Sequence, residues 1–412
     1  MNAPAHFAPV AAERPVAPVA LVHFALAMGG FAIGTTEFAT MSLVPYFAKG
    51  LGIDEPTAGH VISAYALGVV VGAPLLAVAA AKLSRRTLLI LLMTAFALFN
   101  GLSALAPTYH WMLLFRFLSG LPHGAYFGIA ALVAASLVPT NQRSQAVGRV
   151  MLGLTVATIL GVPLANWLGQ AVGWRWGFGV VAVLALLTVL LVALFAPRDK
   201  PEPGVSPLTE LSALANKRVW LTLGIGAIGF GGMFCVYTYL ASTLFDVTRV
   251  SAAMLPVVLA IFGLGLTLGN IVAPRFADKA LMPTGAALLV GSVISLALYP
   301  LAALHFWSIC LDVFAIGFTG ALGTVLQTRL MDVAGKAQAL AAALNHSAFN
   351  TANALGPWLA GMVVAAGYGW TATGWVGCAL ALGGLAVWAI ALLWTIAERR
   401  QRPVSGSSEA VA

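Results

Sequence analysis

Charged side chains are scarce in this chain of 412 residues: only 8% of them are Asp, Glu, Lys or Arg. Globular domains in water carry about 25%. Hydrophobic residues make up 60% of the chain, and the mean hydropathy is +0.95. A soluble core cannot bury that much apolar surface. The composition therefore excludes a water-soluble protein and predicts a protein whose solvent is lipid.

Cysteine and histidine are also few, and neither forms a catalytic or metal-binding pattern. The three cysteines, Cys235, Cys310 and Cys378, lie in apolar stretches without CxxC spacing, which predicts buried thiols and neither a disulfide nor a metal site. The seven histidines are scattered singly, and the motifs HExxH, GxxxxGK[ST] and GxSxG are missing. We therefore expect no cofactor and no enzymatic activity, and a membrane enzyme is only a remote alternative.

Long apolar runs fill most of the chain. A membrane-crossing helix needs about 20 predominantly apolar residues, and the sequence contains twelve such runs. The predicted spans are 18–47, 58–81, 87–106, 111–138, 145–170, 176–196, 218–245, 251–274, 283–303, 306–328, 338–365 and 373–396. The first 17 residues lack the pattern of a cleaved signal peptide, so we expect them to form a tail.

The net charge of +8 reflects membrane orientation. With both termini cytoplasmic, seventeen Lys and Arg residues fall on the cytoplasmic side and three on the opposite side. This positive-inside bias is typical of membrane proteins, so the charge requires no anionic partner. A nucleic-acid-binding patch would need a soluble domain, and no stretch of the chain is long enough to form one.

The chain repeats itself at a shift of about 196 residues, which places Trp111 on Trp307 and Trp174 on Trp370. Residues 197–218, with four prolines and seven charges, separate spans six and seven. The predicted organisation is a cytoplasmic tail (1–17), a six-helix bundle (18–196), a cytoplasmic linker (197–217), a second six-helix bundle (218–397) and a cytoplasmic tail (398–412). Parallel repeats with a site near the midplane between them occur in many secondary transporters.

One acid, Glu37, lies in the middle of the first span. A charged side chain at the centre of a membrane costs about 2.5 kcal/mol or more, so it usually faces a water-filled interior and has a function there. Glu37 therefore indicates proton-linked transport.

Small residues recur at every fourth position in spans five and eleven. The two ladders are Gly153, Ala157, Gly161, Ala165 and Gly169, and Ala348, Ala352, Gly356 and Ala360. Such ridges let neighbouring helices approach closely. Each ladder carries a proline at a matching place, Pro163 or Pro357. The ladders either serve tight packing alone or define how the two halves rock against each other.

Three strings carry a family resemblance: residues 36–38, 58–74 and 116–128. Together they resemble the twelve-span major facilitator superfamily, in its arabinose-efflux-permease-like branch of drug:proton antiporters, over residues 20–397. The resemblance implies an all-α membrane protein with twelve transmembrane helices in two pseudo-symmetric six-helix bundles. It also implies a monomeric, proton-coupled exporter of a small organic compound in the bacterial inner membrane, working by alternating access. A proton-coupled importer on the same scaffold is the alternative.

The family's loop motif after span two, Gly-x-x-x-Asp-Arg-x-Gly-Arg-Arg, is matched only in part. Ala81 stands where the acid belongs, whereas the second-half copy supplies Asp278. In the family such an acid is thought to hold the cytoplasmic side closed at a helix N-terminus, which carries about half a positive charge. Asp278 either does this or is a solvated loop charge. The expected gating residues are Lys82, Arg85, Arg86, Arg275 and Asp278.

Arg116 matches the family's span-four arginine, which is thought to assist proton transfer. A guanidinium stays charged, so at this depth it needs partners, and Glu37 is the available acid in the same half. Alternatively, Arg116 lies near a membrane face and extends its guanidinium to the interface. Asp312 aligns with Arg116 across the repeat and is either a second proton-coupling residue or a solvated acid near the outer surface.

Span five resembles the family's antiporter motif through Gly153, Gly161 and Pro163, with one residue inserted between the last two, and span eleven has an uninterrupted Gly356-Pro357. Other polar residues of the spans either line a substrate cavity or pack within the bundle. They are Tyr65, His123, Tyr126, Asn345, His346 and Asn350. The substrate itself stays open among drugs, sugars, purines and other metabolites.

Overall fold

The computed structural model describes residues 18–53, 55–79, 83–198, 207–251 and 254–401. The predicted tail 1–17, residues 402–412 of the predicted tail 398–412, linker residues 199–206, Ala81 and Lys82 lie outside the described residues. Within the described ranges the chain forms helices joined by short turns, without a β-strand. The helices group into twelve consecutive segments that correspond to the twelve predicted spans.

Six segments form the first half. They are α1 (Val19–Ser42), α2 (Glu55–Ala79), α3 (Arg85–Ala104), α4 (Tyr109–Ser136), α5 (Arg143–Val156, a π-helical turn Ala157–Gly161, and Val162–Ala171) and α6 (Trp174–Phe195). The first predicted span continued to residue 47, but α1 ends at Ser42 and a short helix, Val44–Leu51, follows. Pro45 lies in the first turn of that short helix, where a missing N–H is tolerated, whereas inside α1 it would break the hydrogen-bond ladder.

The second half follows the linker helix Pro207–Leu211 and a 3-10 turn, Ser212–Ala215. Its segments are α7 (Lys217–Gly229 and Gly231–Asp246), α8 (Leu255–Ala277), α9 (Leu281–Ala302), α10 (Phe306–Thr319 and Leu322–Val333), α11 (Gln338–Val363, then a π-helical turn Val364–Tyr368) and α12 (Ala372–Gln401). By length and composition, ten of the segments among the described residues can cross a membrane, and α2 contains a shorter apolar helix, His60–Leu76.

Equivalent glycine contacts in the two halves show how the halves repeat. A Cβ atom at Gly120 would lie 2.2 Å from the Tyr65 carbonyl oxygen, which brings α4 against α2. In the second half a Cβ atom at Gly317 would lie 2.4 Å from the Phe262 carbonyl oxygen, which brings α10 against α8. Both residues of the pair are shifted by 197 positions (317 − 120 and 262 − 65).

The same shift corrects one prediction about the repeat. In α4 and α10 the counterpart of Arg116 is Val313, so Asp312 stands one position earlier than the aligned residue. One position on a helix turns a side chain by about 100°, because 3.6 residues make one turn. Asp312 and Arg116 therefore do not occupy equivalent faces of their helices.

The halves meet along two seams. In one, α11 packs against α2 and α4, and a Cβ atom at Gly128 would lie 2.8 Å from the backbone nitrogen of Ala343. In the other, α5 packs against α8, and the Thr267 hydroxyl donates a 3.1 Å hydrogen bond to Thr155 Oγ1. The space between the two seams is where a ligand can lie between the halves.

The small-residue ladders face helices of their own half. A Cβ atom at Gly153 would lie 1.8 Å from the Ala27 carbonyl oxygen of α1, and one at Gly356 would lie 2.3 Å from the Gly231 carbonyl oxygen of α7. In α5 the π-helical turn ends at Gly161, two positions before Pro163, whose ring supplies no N–H for the helix ladder. These contacts are tight packing, and the hinge role of the antiporter-motif residues stays a prediction.

We expect Gly120→Ala to destabilise the protein by about 1–3 kcal/mol, because the added methyl group overlaps backbone that cannot move aside alone. The control is Gly101→Ala, whose Cβ would meet its nearest neighbour, the Ala182 Cβ atom, at 3.9 Å. That change should be neutral or stabilising. Thermal unfolding of the purified protein, followed by tryptophan fluorescence, compares the two. Equal melting temperatures would contradict the close α2–α4 contact.

Candidate functional site

Glu37 lies on α1 inside the first half, and 4% of the residue is exposed. Its Oε2 atom has no hydrogen-bond partner among the described residues. Tyr65 and Arg116 lie within electrostatic range. The next residue, Phe38, faces the space between the halves. The side chain of Glu37 is thus enclosed by the first half, whereas the side chain of the next residue, Phe38, faces the space between the halves.

Arg116 is buried in protein, with 1% of the residue exposed, and does not extend to a membrane face. Its Nη1 atom donates hydrogen bonds to Thr36 Oγ1 at 3.0 Å, to Asn100 Oδ1 at 3.3 Å and to Ser119 Oγ at 3.5 Å. The guanidinium also lies 4.3 Å from the centre of the Tyr65 ring. Neutral oxygens and an aromatic face thus surround the cation.

Glu37 and Arg116 do not form a hydrogen-bonded ion pair in the described part of the chain. The Arg116 Nε atom and the Glu37 Oε2 atom are both buried, and both lack a hydrogen-bond partner. Thr36, the residue before Glu37, takes the arginine contact instead and donates its own hydroxyl to Asn100 Oδ1 at 2.9 Å. The predicted partners are neighbours, and each keeps one unsatisfied polar atom.

A series of rings leads from this site to the other half. The Tyr65 hydroxyl and His123 Nδ1 are 3.0 Å apart. His123 lies 5.3 Å, between ring centres, from His346 of α11, and Phe127 stacks on His346 at 4.4 Å. Both ring nitrogens of His346 and the Nε2 atom of His123 are buried without partners among the described residues. The series therefore joins the Arg116 site to α11 through groups that have unused hydrogen-bonding capacity.

A cavity lies between the halves. Its empty space, including the open space at its mouth, is about 660 Å³. Its lining consists of Phe38, Met151, Leu154, Thr155, Met233, Phe234, Tyr237, Phe262, Leu266, Asn270, Gly320, Gly323, Thr324, Asn345, His346 and Phe349. Among the described residues, the lining contains no Asp, Glu, Lys or Arg.

Of the six residues expected at the substrate cavity, Asn345 and His346 line it. Tyr65 and His123 bond to each other beside Arg116. Tyr126 donates a 2.8 Å hydrogen bond to the Leu26 carbonyl oxygen and joins α4 to α1. The Asn350 amide donates at 3.0 Å to the carbonyl of His346 in its own helix. Four of the six side chains therefore lie outside the cavity lining in this conformation.

The linker face, defined as the end of the bundle that carries Pro207–Leu211 and the first turns of α5 and α11, is closed by contacts between the halves. Asp278 accepts hydrogen bonds from the backbone N–H groups of Ser144 at 2.8 Å and Gln145 at 3.3 Å, in the first turn of α5. The Gln145 side chain donates a third at 2.9 Å. Asp278 therefore binds the other half in this conformation.

Two of the cations expected to take part in gating, Arg86 and Arg275, bind carbonyl groups of their own half. The Arg86 guanidinium donates at 2.5 Å to the Ala193 carbonyl oxygen of α6, and Arg275 donates to the Ile271 carbonyl of α8. Arg85 begins α3 and is half-buried. A different cation joins the halves: Arg143 of α5 pairs with Asp332 of α10 at 3.1 Å.

Asp312 lies on α10 between Cys310 and Val313, which belong to the apolar core of the second half, and 8% of the residue is exposed. Tyr299 is within electrostatic range, and the Asp312 Oδ2 atom has no hydrogen-bond partner among the described residues. Asp312 is not part of the cavity lining. Its proton-coupling role stays a prediction, and its site is separate from that of Glu37.

Sequence reasoning missed several residues of the site. Asn100, which binds both Thr36 and Arg116, carried a usable signal, because a lone amide in an apolar span needs a partner. Tyr237 and Phe262, two aromatic residues of the cavity lining, could not be recognised from the sequence, because aromatic residues are also common on faces that contact lipid. Asn270 of α8 lines the cavity and accepts a hydrogen bond from Thr324 at 2.5 Å.

Two repeated six-helix halves with an internal cavity define a polytopic membrane transporter of small molecules. The chain belongs to the Major Facilitator Superfamily, whose sequence model matches residues 26–338. The predicted family and the predicted all-α membrane fold are therefore confirmed.

Individual relatives agree with this assignment. The inner membrane transport protein YdhP of Escherichia coli (strain K12) is 39% identical over 382 residues, which cover 92% of this chain and 96% of the relative. The chloramphenicol resistance protein of Streptomyces lividans is 34% identical over 82% of this chain and 87% of its own length. The E. coli fucose:proton symporter FucP superposes with a TM-score of 0.72 at 14% identity, over 91% of this chain and 98% of that structure, and this likeness concerns the fold.

We expect Asn100→Ala to destabilise the protein by about 1.5–3 kcal/mol, because it removes an acceptor from a buried guanidinium. Ser103→Ala is the matched control on α3. Ser103 is also buried, but its hydroxyl binds only the Phe99 carbonyl of its own helix, so the cost should be about 1 kcal/mol or less. Thermal unfolding of both variants checks the difference. A larger effect of Ser103→Ala would contradict the central place given to Asn100.

Proposed function

We propose that this transporter is a proton-coupled exporter of a neutral, weakly polar organic compound and works by alternating access. The observation that carries the proposal is Glu37, a buried acid without a hydrogen-bond partner for Oε2 that directly precedes a residue of the cavity lining. We further propose that it acts as a monomer in the inner membrane with both termini in the cytoplasm.

Glu37 is the proposed proton carrier. A buried carboxylate without a partner is costly, and a bound proton removes that cost. A guanidinium that approaches such a group favours its ionised form. Arg116 lies within electrostatic range of Glu37, and we propose that it acts in this way when its hydrogen bond to Thr36 is broken. Movement between these two arrangements would let Glu37 take up a proton on one side of the membrane and release it on the other.

Two contacts support coupling between the proton site and the cavity. Phe38, next to Glu37, meets Tyr237 of the other half with ring centres 6.1 Å apart, and both rings line the cavity. His346 also lines the cavity, and its ring neighbour His123 bonds to Tyr65 beside Arg116. A substrate between Phe38 and His346 would therefore touch both routes to the proton site.

The cavity lining favours a neutral substrate. A charged compound would need a compensating charge in a site shielded from water, and the described lining supplies none. Five aromatic rings suit a flat apolar group, and two amides with two hydroxyls, one imidazole and one phenol provide a few hydrogen bonds. The aromatic residues are Phe38, Phe234, Tyr237, Phe262 and Phe349. This balance favours a weakly polar aromatic compound over a sugar.

Export is favoured over import by the relatives. One is named a chloramphenicol resistance protein, and resistance is a consequence expected of export. The fold admits either direction, since the superposable FucP is named a symporter. Import on the same scaffold is therefore the second candidate.

We expect Glu37→Gln to abolish proton-driven transport and to leave membrane insertion intact, because glutamine keeps the shape of the side chain but cannot release a proton. Substrate exchange without a proton gradient should persist in this variant. Both are measured in proteoliposomes, with Asp246→Asn as the control, since that acid is exposed and bonds only Trp370 in the described structure. Undiminished gradient-driven transport in Glu37→Gln would remove Glu37 from the mechanism.

A strain that overexpresses the protein should gain resistance to neutral aromatic compounds, and an uncoupler should abolish the gain. A library that pairs neutral with permanently charged compounds of similar size provides the comparison. For any compound found, accumulation in inverted vesicles with an inside-acid gradient supports export, whereas accumulation in right-side-out vesicles identifies an importer. Resistance confined to charged compounds would contradict the proposed substrate class.

A further inference from the structure

The two halves differ at the linker face in one acid. Asp278 caps the first turn of α5, and the 197-residue shift of the repeat places Ala81 at the corresponding position of the first half (278 − 197 = 81). A methyl group cannot accept a hydrogen bond. The first turn of α11, the counterpart of α5, therefore needs a different acceptor.

Glu210 of the linker helix supplies that acceptor. Its Oε2 atom accepts a 2.8 Å hydrogen bond from the backbone N–H of Leu340, the third residue of α11. Only 2% of the Glu210 residue is exposed. The residues that begin α5 and α11 provide no side-chain cap of their own. Both helices are thus capped by an acid from another element.

The linker occupies the seam between the two halves. The helix Pro207–Leu211 contacts both α2 and α11. Ala213, which follows it, is buried in one apolar cluster with Ala73 of α2 and Leu340 of α11. When α2 and α11 separate, the linker has to leave one of them. The Glu210 contact therefore opposes opening of this seam.

We expect the hydrogen bond of Glu210 to α11 to be stronger than the exposed ion pair between Arg143 and Asp332. A carboxylate on backbone N–H groups at a helix N-terminus combines a charge-assisted hydrogen bond with the favourable end of the helix dipole. Arg143 and Asp332 also join the halves, but their side chains are 24% and 44% exposed, and solvent weakens such pairs.

We propose that Glu210 is the acid that holds the linker face closed at α11, in place of the acid absent at position 81. The linker is then a part of the gate as well as a connection between the halves. The proposal rests on the two-half fold and is independent of substrate, transport direction and proton coupling. Its test therefore measures opening and not transport.

The test follows the labelling of Ala342→Cys by a maleimide in purified protein. Ala342 is fully buried where α11 packs on Gly128 of α4, so it reacts only when this seam opens. The three native cysteines, all buried, are first replaced by alanine. A separate Lys336→Cys probe, exposed just before α11, checks that reagent and protein quality are equal.

We expect Glu210→Gln to accelerate labelling of the buried probe about three- to tenfold, because the amide keeps the shape but loses the charge. Asp278→Asn should accelerate it similarly, by releasing α5. Asp332→Asn, which removes the exposed pair on the same face, should change the rate by about twofold or less. The Lys336→Cys probe should react equally in all of them.

A second substitution tests whether Glu210 acts by capping α11 or only by supporting the linker. In the Glu210→Gln background, Ala81→Asp returns an acid to the position that matches Asp278, and labelling should fall back to the parent rate. If Glu210→Gln alone does not yield monodisperse protein, the double variant should recover both monodispersity and the parent rate. Unchanged labelling in Glu210→Gln, or failure of Ala81→Asp to reverse the effect, would overturn the proposal.

Discussion

The packing of the first half depends on the contacts of one buried group, the guanidinium of Arg116. In a membrane a polar group cannot turn to water and has to find its partners inside the protein. Arg116 finds them on α1, α3 and α4 through Thr36, Asn100 and Ser119, and on α2 through the ring of Tyr65. One cation thus joins four helices. The same requirement explains why Thr36 and Asn100 are polar in otherwise apolar spans.

The arrangement around Arg116 leaves Glu37 without its expected ion pair. Thr36 holds the guanidinium, while Glu37 and Arg116 each keep a buried atom without a hydrogen-bond partner among the described residues. A site with unsatisfied atoms on both an acid and its neighbouring cation is suited to change partners. Such an exchange is what a proton carrier requires. The described cavity lining contains no charged residue. The proposed substrate site is joined to the proton site through Phe38, the neighbour of Glu37 in the chain. A second connection runs from His346 through His123 to Tyr65, beside Arg116.

At the linker face, carboxylates bind the N-termini of helices. Asp278 accepts hydrogen bonds from two backbone N–H groups in the first turn of α5, and Glu210 accepts one from Leu340 in the first turn of α11. These contacts hold that end of the bundle together. A helix N-terminus is a favourable partner for a carboxylate because its N–H groups are unpaired and its dipole is positive there. The two halves reach this result by different routes, since one acid lies at the end of α8 and the other in the linker.

Much of the fold was predictable from the sequence because lipid imposes a simple rule on composition. Runs of about 20 apolar residues are required at each crossing, so the segments could be counted and the repeat recognised without tertiary information. Glu37 and Arg116 could be singled out for the same reason, since ionisable residues in spans are rare and costly. The cavity lining was less accessible to prediction. Asn345 and His346 were expected there, but Tyr237 and Phe262 look like any other aromatic residues of an apolar helix.

By itself, the sequence determined the membrane class, the helical segments, the two-half repeat and the ionisable residues that had to be enclosed. These properties depend on composition and on spacing along one chain. Only the tertiary structure decided that Thr36 and Asn100 bind Arg116, that the repeat shift separates Asp312 from the Arg116 position, and that Glu210 reaches Leu340. Such contacts depend on the rotation of each helix and on distances between segments far apart in the chain. A one-dimensional pattern contains neither.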